Sequence, residues 1–288
     1  MPRPAVLVIA ATDSSGGAGL TRDVRVLSEL CVDALCVVTA VTAQSDKEVS
    51  AVHHVPPEVI RAQIAAAFAT RPIDAVKIGM LGTRATVEAV VAELQGRESG
   101  RGGGPPGGLP PGRPLLARGL SLPGESRSDG IPIVVDPVLV SSSGGVLLDA
   151  GGQAALREAL FPLATLVTPN VPEAAALLGE AIATEEAGLV RQGRRLLRFG
   201  SQAILLKGGH RYAGRGDGED AVDLLVYRAA ADGDPVERIA SKRVTGSSRG
   251  TGCALASAVA AGLAAGKPLS EACRAAKSYV LGMLTPAR

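Results

Sequence analysis

Short apolar runs and amphipathic stretches alternate along most of the chain. Residues 5–11 are continuously apolar and break into Thr12-Asp13-Ser14-Ser15-Gly16-Gly17-Ala18-Gly19, after which Leu20, Val24 and Leu27 recur at helical spacing. This predicts a strand, a glycine loop and a helix. A second strand is expected over 34–41, a helix over 59–68 entered through Pro56-Pro57, and a third strand over 75–80. Thr83 can cap the next helix, whose Val87, Val90, Val91 and Leu94 make one apolar stripe. From 96 to 130 the periodicity gives way to Gly, Pro, Arg and Ser, a composition that cannot offset the entropy of ordering, so a flexible insert is expected there.

Alternation resumes beyond the insert. A strand is predicted over 131–135, followed by Asp136-Pro137, then a helix over 153–160 and a strand over 163–168 that stops at Pro169-Asn170. Helices over 172–178 and 185–199 precede a strand over 203–207 and the pair Gly208-Gly209. Strands over 222–227 and 238–244 follow one another without a helix, which predicts an antiparallel hairpin edge on an otherwise parallel sheet. Two helices close the chain, one opening at Gly250 and Gly252 and one over 270–284. The pattern continues across the insert, so residues 1–288 read as one three-layer α/β/α domain.

Composition narrows the partners. The chain has 288 residues, 46% of them apolar, with three Tyr, three Phe and no Trp, so Ala, Val and Leu must fill the core. Net charge is +2 with no basic run, and nucleic acid is not an expected partner. Cys31, Cys36, Cys253 and Cys273 form no C-x-x-C pair, and His53, His54 and His210 complete no zinc spacing. A reduced, cytoplasmic setting is expected. The 5–11 run is too short to span a membrane, so no membrane partner is expected.

Open parallel sheets bind ligands beyond the carboxyl ends of their strands, and those positions here are polar and glycine-rich. No Walker loop, no dinucleotide fingerprint after the first strand and no nucleophile elbow is found. Gly250-Thr251-Gly252-Cys253 opens an apolar helix, where free N–H groups and the helix dipole can cradle a phosphate. The same four residues equally suit a turn that lets a small-residue helix pack closely. Asp136 and Glu173 follow strand ends and can hold Mg2+ beside phosphates, although each alone also fits a helix cap.

Taken together, the 11–19 loop, Val41-Thr42-Ala43-Gln44, Lys77-Ile78-Gly79-Met80-Leu81, Asp136-Pro137-Val138, Thr168-Pro169-Asn170-Val171-Pro172-Glu173-Ala174, Lys207-Gly208-Gly209-His210 and Gly250-Thr251-Gly252-Cys253 resemble the hydroxymethylpyrimidine/phosphomethylpyrimidine kinases of the ribokinase superfamily. They match in order and approximate spacing. The resemblance implies a ribokinase-like fold, ATP and Mg2+ as cofactors, a pyrimidine acceptor phosphorylated once and then again, a role in thiamin synthesis, and a homodimer. It implies that Gln44 hydrogen-bonds the aminopyrimidine, with Asp13, Gly17, Ala18, Gly19 and Met80 lining the same pocket. It places Lys207, Asn170 and Asp136 beside the nucleotide, Glu173 and Asp136 at the metal, Gly250, Thr251 and Gly252 in the anion hole, and Cys253 at the position of the catalytic base. A cysteine in the first turn of a helix is expected to have its thiol pKa lowered toward neutrality.

Three departures from the family pattern stand out. Ser248-Arg249 replaces the usual Thr-His, the insert has no counterpart, and the chain stops at Arg288 without a glycine-rich tail. Two other readings are a pyridoxal or pyridoxine kinase of the same superfamily and a pyrimidine-binding regulatory protein without catalysis.

Overall fold

The computed structural model describes residues 2–98, 130–141, 144–208, 220–228, 235–243 and 249–285. Most of the 96–130 insert therefore lies outside the described residues, as do Gly209, His210, Val244 and Ser248.

Strands β1 (Ala5–Ala10) and β2 (Asp33–Val38) pair in parallel, with helix α1 (Gly19–Glu29) as their crossover. After α2 (Pro57–Thr70), β5 (Ala75–Ile78) pairs on the other side of β1. Beyond α3 (Arg84–Glu98), parallel pairing continues through β6 (Ile133–Val135), β7 (Leu166–Val167) and β8 (Ala203–Leu206), with α4 (Ala150–Ala155), α5 (Val171–Leu178) and α6 (Glu186–Leu197) between them. The antiparallel strands β9 (Asp220–Tyr227) and β10 (Val236–Lys242) complete an eight-stranded sheet in the order β10-β9-β8-β7-β6-β5-β1-β2. Helices α7 (Thr251–Ala264) and α8 (Leu269–Leu284) end the described chain.

The period of two in a strand divides the core between the two faces of the sheet. Leu7 and Ile9 of β1 join the stripe of α3 with buried residues of α2, α5 and α6. Val6, Val8 and Ala10 face α1, α7 and α8, where alanines pack tightly enough to replace large side chains. This is the three-layer α/β/α arrangement with a hairpin edge that the sequence predicts.

Several boundaries differ from expectation. The apolar run over 34–41 is two strands. The chain leaves the main sheet at Thr39, whose buried hydroxyl donates to the Met80 carbonyl at 2.7 Å, and β3 (Ala40–Gln44) instead pairs antiparallel with β4 (Val49–His54). β4 escapes a hydrophobicity pattern because almost all of its residues are exposed. The strand expected over 163–168 starts only at Leu166, since Phe161–Leu163 is a 3-10 turn extending the preceding helix. Helix α3 runs to Glu98, past the expected start of the insert. Strands β5 and β6 are shorter than expected, and the last strand is Val236–Lys242. In α1 the buried face carries Asp23, Val26 and Leu27, while Val24 points to solvent.

Candidate active site

The loop after β1 is organised by one carboxylate. Asp13 is 4% exposed, and its Oδ1 accepts from the Ser15 N–H at 2.9 Å and the Ser15 hydroxyl at 2.8 Å, while Oδ2 accepts from the Ala18 N–H at 2.8 Å. Such side-chain-to-backbone bonds fix a tight turn. At Gly19, φ is +56° and a Cβ would lie 2.5 Å from the Ala11 carbonyl oxygen, so only glycine fits where the loop enters α1.

The β3–β4 hairpin is laced to this loop. Thr42 Oγ1 donates to the Thr12 carbonyl at 2.8 Å, and Ser14 exchanges two hydrogen bonds with the backbone of Gln44, both at 2.8 Å. Gln44 is half-buried at the end of β3. Met80 packs with Ala11, Ala40, Leu147 and Val138 in a small separate apolar cluster. The residues expected to read the pyrimidine are therefore gathered at the carboxyl end of the sheet.

The glycine turn before α7 meets the same loop. Gly250 takes φ +74° as the N-cap of α7, and a Cβ there would fall 2.2 Å from the Gly17 carbonyl oxygen. A Cβ at Gly252 would lie 3.1 Å from Lys207 Nζ, which would have to give way slightly, and in ordinary contact with Asp136 Oδ2 at 3.6 Å. The free N–H groups of this turn thus open beside a lysine and a carboxylate.

Lys207 Nζ donates to Asp136 Oδ1 at 2.7 Å and stands 3.9 Å from Glu173 Oε2; Thr168 Oγ1 also donates to Asp136 Oδ1, at 3.2 Å. Asn170 and Glu173 form a reciprocal cap on α5: Asn170 Oδ1 accepts from the Glu173 N–H and Glu173 Oε2 from the Asn170 N–H, both at 2.8 Å. The capping reading of Glu173 is therefore correct for this state, and its second oxygen stays outside the cap. Burial pushes the Glu173 carboxyl up to about 7, against the pull of Lys207 and with help from the Asp136 charge. For Asp136 burial acts in the same direction, but the Lys207 and Lys77 ammoniums outweigh it and hold the carboxyl below its ordinary range. Burial works against the charge on Lys207, yet Asp136 and Glu173 raise its pKa overall.

Among the described residues no cluster of three or more His, Cys, Asp or Glu side chains stands ready for a metal. Asp136 and Glu173 offer two carboxylates, which suits Mg2+, an ion that takes one or two protein carboxylates and fills its shell with phosphate and water oxygens.

Cys253 lies in the first turn of α7, with the Gly19 N–H directed at its sulfur. The expected lowering of its thiol pKa does not occur. Burial pushes the thiol up to about 11; Lys77 and the Gly19 N–H pull it back, but Asp23 and Asp136 add to the rise. The helix terminus is outweighed by desolvation and by two neighbouring carboxylates.

Lys77 and Asp23 are site neighbours to which the sequence assigns no role. Lys77 Nζ donates to Asp23 Oδ2 at 2.7 Å with both side chains at 0% exposure, and Ser257 Oγ of α7 donates to Asp23 Oδ1 at 2.8 Å. Burial opposes the charge on Lys77, but Asp23, Cys253 and Asp136 together raise its pKa. A lysine inside the apolar strand Ala75–Ile78 was the available signal, since a buried ammonium requires a partner. On the other side of Lys207, Asp223 Oδ1 accepts from the Gly208 N–H at 2.9 Å and its Oδ2 from Lys277 Nζ at 2.7 Å.

A cavity of about 530 Å³ bounded by Glu180, Ile182, Arg191 and Gln192 lies between the end of α5 and α6 and holds none of these residues. Cys31, Cys36, Cys253 and Cys273 are all free thiols. No described helix is long and apolar enough to cross a membrane.

The phosphomethylpyrimidine kinase family model matches residues 13–101 and 124–287, leaving a gap inside the glycine- and proline-rich segment. A hydroxymethylpyrimidine/phosphomethylpyrimidine kinase from Rhizobium meliloti is 40% identical over 282 residues, which cover 98% of this chain and 90% of that protein. Among solved structures, a phosphomethylpyrimidine kinase from Clostridium difficile superposes with a TM-score of 0.73 at 31% identity, covering 98% of this chain and 100% of the other. A pyridoxal kinase from Staphylococcus aureus, solved with AMP-PCP and pyridoxal, gives a TM-score of 0.76 at 26% identity over 99% of this chain and 88% of the other.

Proposed function

Because the chain belongs to the phosphomethylpyrimidine kinase family, we propose that it transfers the terminal phosphoryl group of ATP to the hydroxymethyl group of hydroxymethylpyrimidine, and a second one to the resulting monophosphate, in thiamin diphosphate synthesis. The observation that carries this reading is the meeting of the Gly250 turn with Gly17 on one side and with Lys207 and Asp136 on the other. An acceptor pocket and a phosphate cradle thereby share one edge.

In this reading Gln44, Asp13, the 17–19 backbone and Met80 hold the ring, and the turn N–H groups with Lys207 receive charge developing on the transferring phosphoryl oxygens. Asp136 and Glu173, with Asn170 beside them, would hold Mg2+, which supplies neutralisation of phosphate charge when bound. Cys253 faces the reacting hydroxyl and takes its proton as the oxygen attacks. Since its thiol is pushed up to about 11, that role is favoured at alkaline pH.

Pyridoxine is the second candidate acceptor, favoured by the likeness to a pyridoxal kinase fold. ATP turnover on each acceptor, measured side by side with Mg2+, tests the assignment. We expect the pyrimidine to be preferred, whereas preference for pyridoxine would reassign the acceptor. No Mg2+-dependent ATP consumption with either would favour a regulatory protein. A cytoplasmic location and a homodimer are proposed on the family resemblance alone.

A further inference from the structure

Arg249 sits immediately before the phosphate turn, and its guanidinium reaches the glycine loop and the hairpin tip. Nη1 donates to Ser15 Oγ at 3.0 Å, to the Ser45 carbonyl at 2.9 Å and to Asp46 Oδ1 at 2.8 Å, while Nη2 lies 3.3 Å from Asp13 Oδ2. One side chain thus joins three segments distant in sequence: the glycine loop, the tip of the β3–β4 hairpin and the turn that opens α7. The side chain is only 17% exposed, and the planar fork of arginine suits several fixed acceptors at once.

The hairpin needs such a tie. Its two strands form a sheet of their own outside the main one, and a lone two-stranded ribbon is marginally stable. β4 contributes almost no buried surface. The hairpin tip is closed by Ser45, whose N–H donates to the Glu48 carbonyl at 2.9 Å, and Gln44 immediately precedes it. Fixing Ser45 and Asp46 therefore fixes the start of the tip beside Gln44.

We propose that Arg249 is a positioning residue that clamps the hairpin tip, and with it Gln44, onto the glycine loop and the phosphate turn, so that occupation of the phosphate turn and closure over the acceptor are energetically coupled. The exposed Asp46 contact adds little alone, since its side chain is 83% exposed, and the weight falls on Ser45, Ser15 and the buried Asp13. Coupling of this kind is reciprocal: a ligand on the turn tightens the hairpin, and a ligand under the hairpin tightens the turn. The proposal rests on the reading above only in calling the ligand under the hairpin the pyrimidine acceptor.

The test is amide hydrogen exchange over residues 44–50, with and without a non-hydrolysable ATP analogue, in the parent and in Arg249→Gln, alongside KM for each substrate. In the parent the analogue alone should slow exchange at the tip. In Arg249→Gln the tip should exchange about tenfold faster and ignore the analogue, as loss of a charge-assisted hydrogen bond implies. KM for the pyrimidine should rise about tenfold, and KM for ATP measured at saturating pyrimidine should rise with it. Ser15→Ala, which removes one of the contacts that carry the clamp, should shift exchange in the same direction by a smaller factor and serves if the arginine variant does not fold. Unchanged tip exchange in the variants, or a rise confined to KM for ATP, would overturn the clamp. The exchange measurement requires no turnover, so a parent inactive on the pyrimidine would refute the assigned reaction and leave the clamp to be decided separately.

Discussion

Lys77 and Asp23 form an ion pair at 2.7 Å in which neither side chain reaches solvent. It ties the middle of β5 to the inner face of α1, and through Ser257 to the helix that carries the phosphate turn. Two charges removed from water gain stability only when well paired, and breaking such a pair costs far more than the pair contributes.

Lys77→Met should therefore destabilise the protein by about 3–5 kcal/mol, because it leaves the Asp23 carboxylate buried and unpaired. Lys77→Met/Asp23→Asn should recover part of that loss, since an amide oxygen can still accept from Ser257 without carrying charge. Denaturant unfolding measures both. A Lys77→Met variant within about 1 kcal/mol of the parent would contradict a buried, uncompensated charge at Asp23.

Glu173 gives a pH-dependent prediction for the metal-free protein. Its folded pKa, about 7, lies above the ordinary 4.5, so its stability contribution is full below about pH 4.5 and is lost as pH rises through 7. Glu173→Gln keeps the cap, because glutamine also serves at that position, but removes the titration. In EDTA the variant should gain on the parent as pH rises from about 5 to 8, reaching about 1–3 kcal/mol. Thermal melts across that range check it, and a difference that does not change with pH would contradict it. With Mg2+ and ATP the same variant should lose turnover.

Cys253→Ala should cut turnover by about 10²-fold while ATP binding survives. The raised thiol pKa adds a pH signature: parent turnover should keep climbing from about pH 6 to 9 as the thiolate fraction grows, and the alanine variant should lose that slope. Cys253→Asp should restore part of the rate. Parent-like turnover in the alanine variant across this range would assign Cys253 to packing.

The layers of the fold are legible because the central strands are buried on both faces and most helices on one, so period and length separate them. Residues 5–10 and 203–206 are clear examples. The β3–β4 hairpin is not legible, because β4 is almost wholly exposed and β3, although Ala40 and Thr42 are buried, continues the apolar run of β2. Glycines and polar residues after strands point to the site, where a side chain at Gly250 would collide with the Gly17 carbonyl and one at Gly252 would press on the end of Lys207. Spacing could not supply the partners: nothing in the helical period around Asp23 announces that it is buried against Lys77. The proton affinity of Cys253 is likewise not legible from its place on α7, because burial raises it most and the carboxylates that add to the rise, Asp23 and Asp136, come from other elements.

The products the protein makes are the most direct test of its activity. Incubation with hydroxymethylpyrimidine, ATP and Mg2+, followed by mass detection of products over time, should show the monophosphate first and then the diphosphate, with ATP consumed for each. Pyridoxine phosphate formed from a mixture that leaves the pyrimidine untouched, or no phosphorylated pyrimidine at any time, would contradict it.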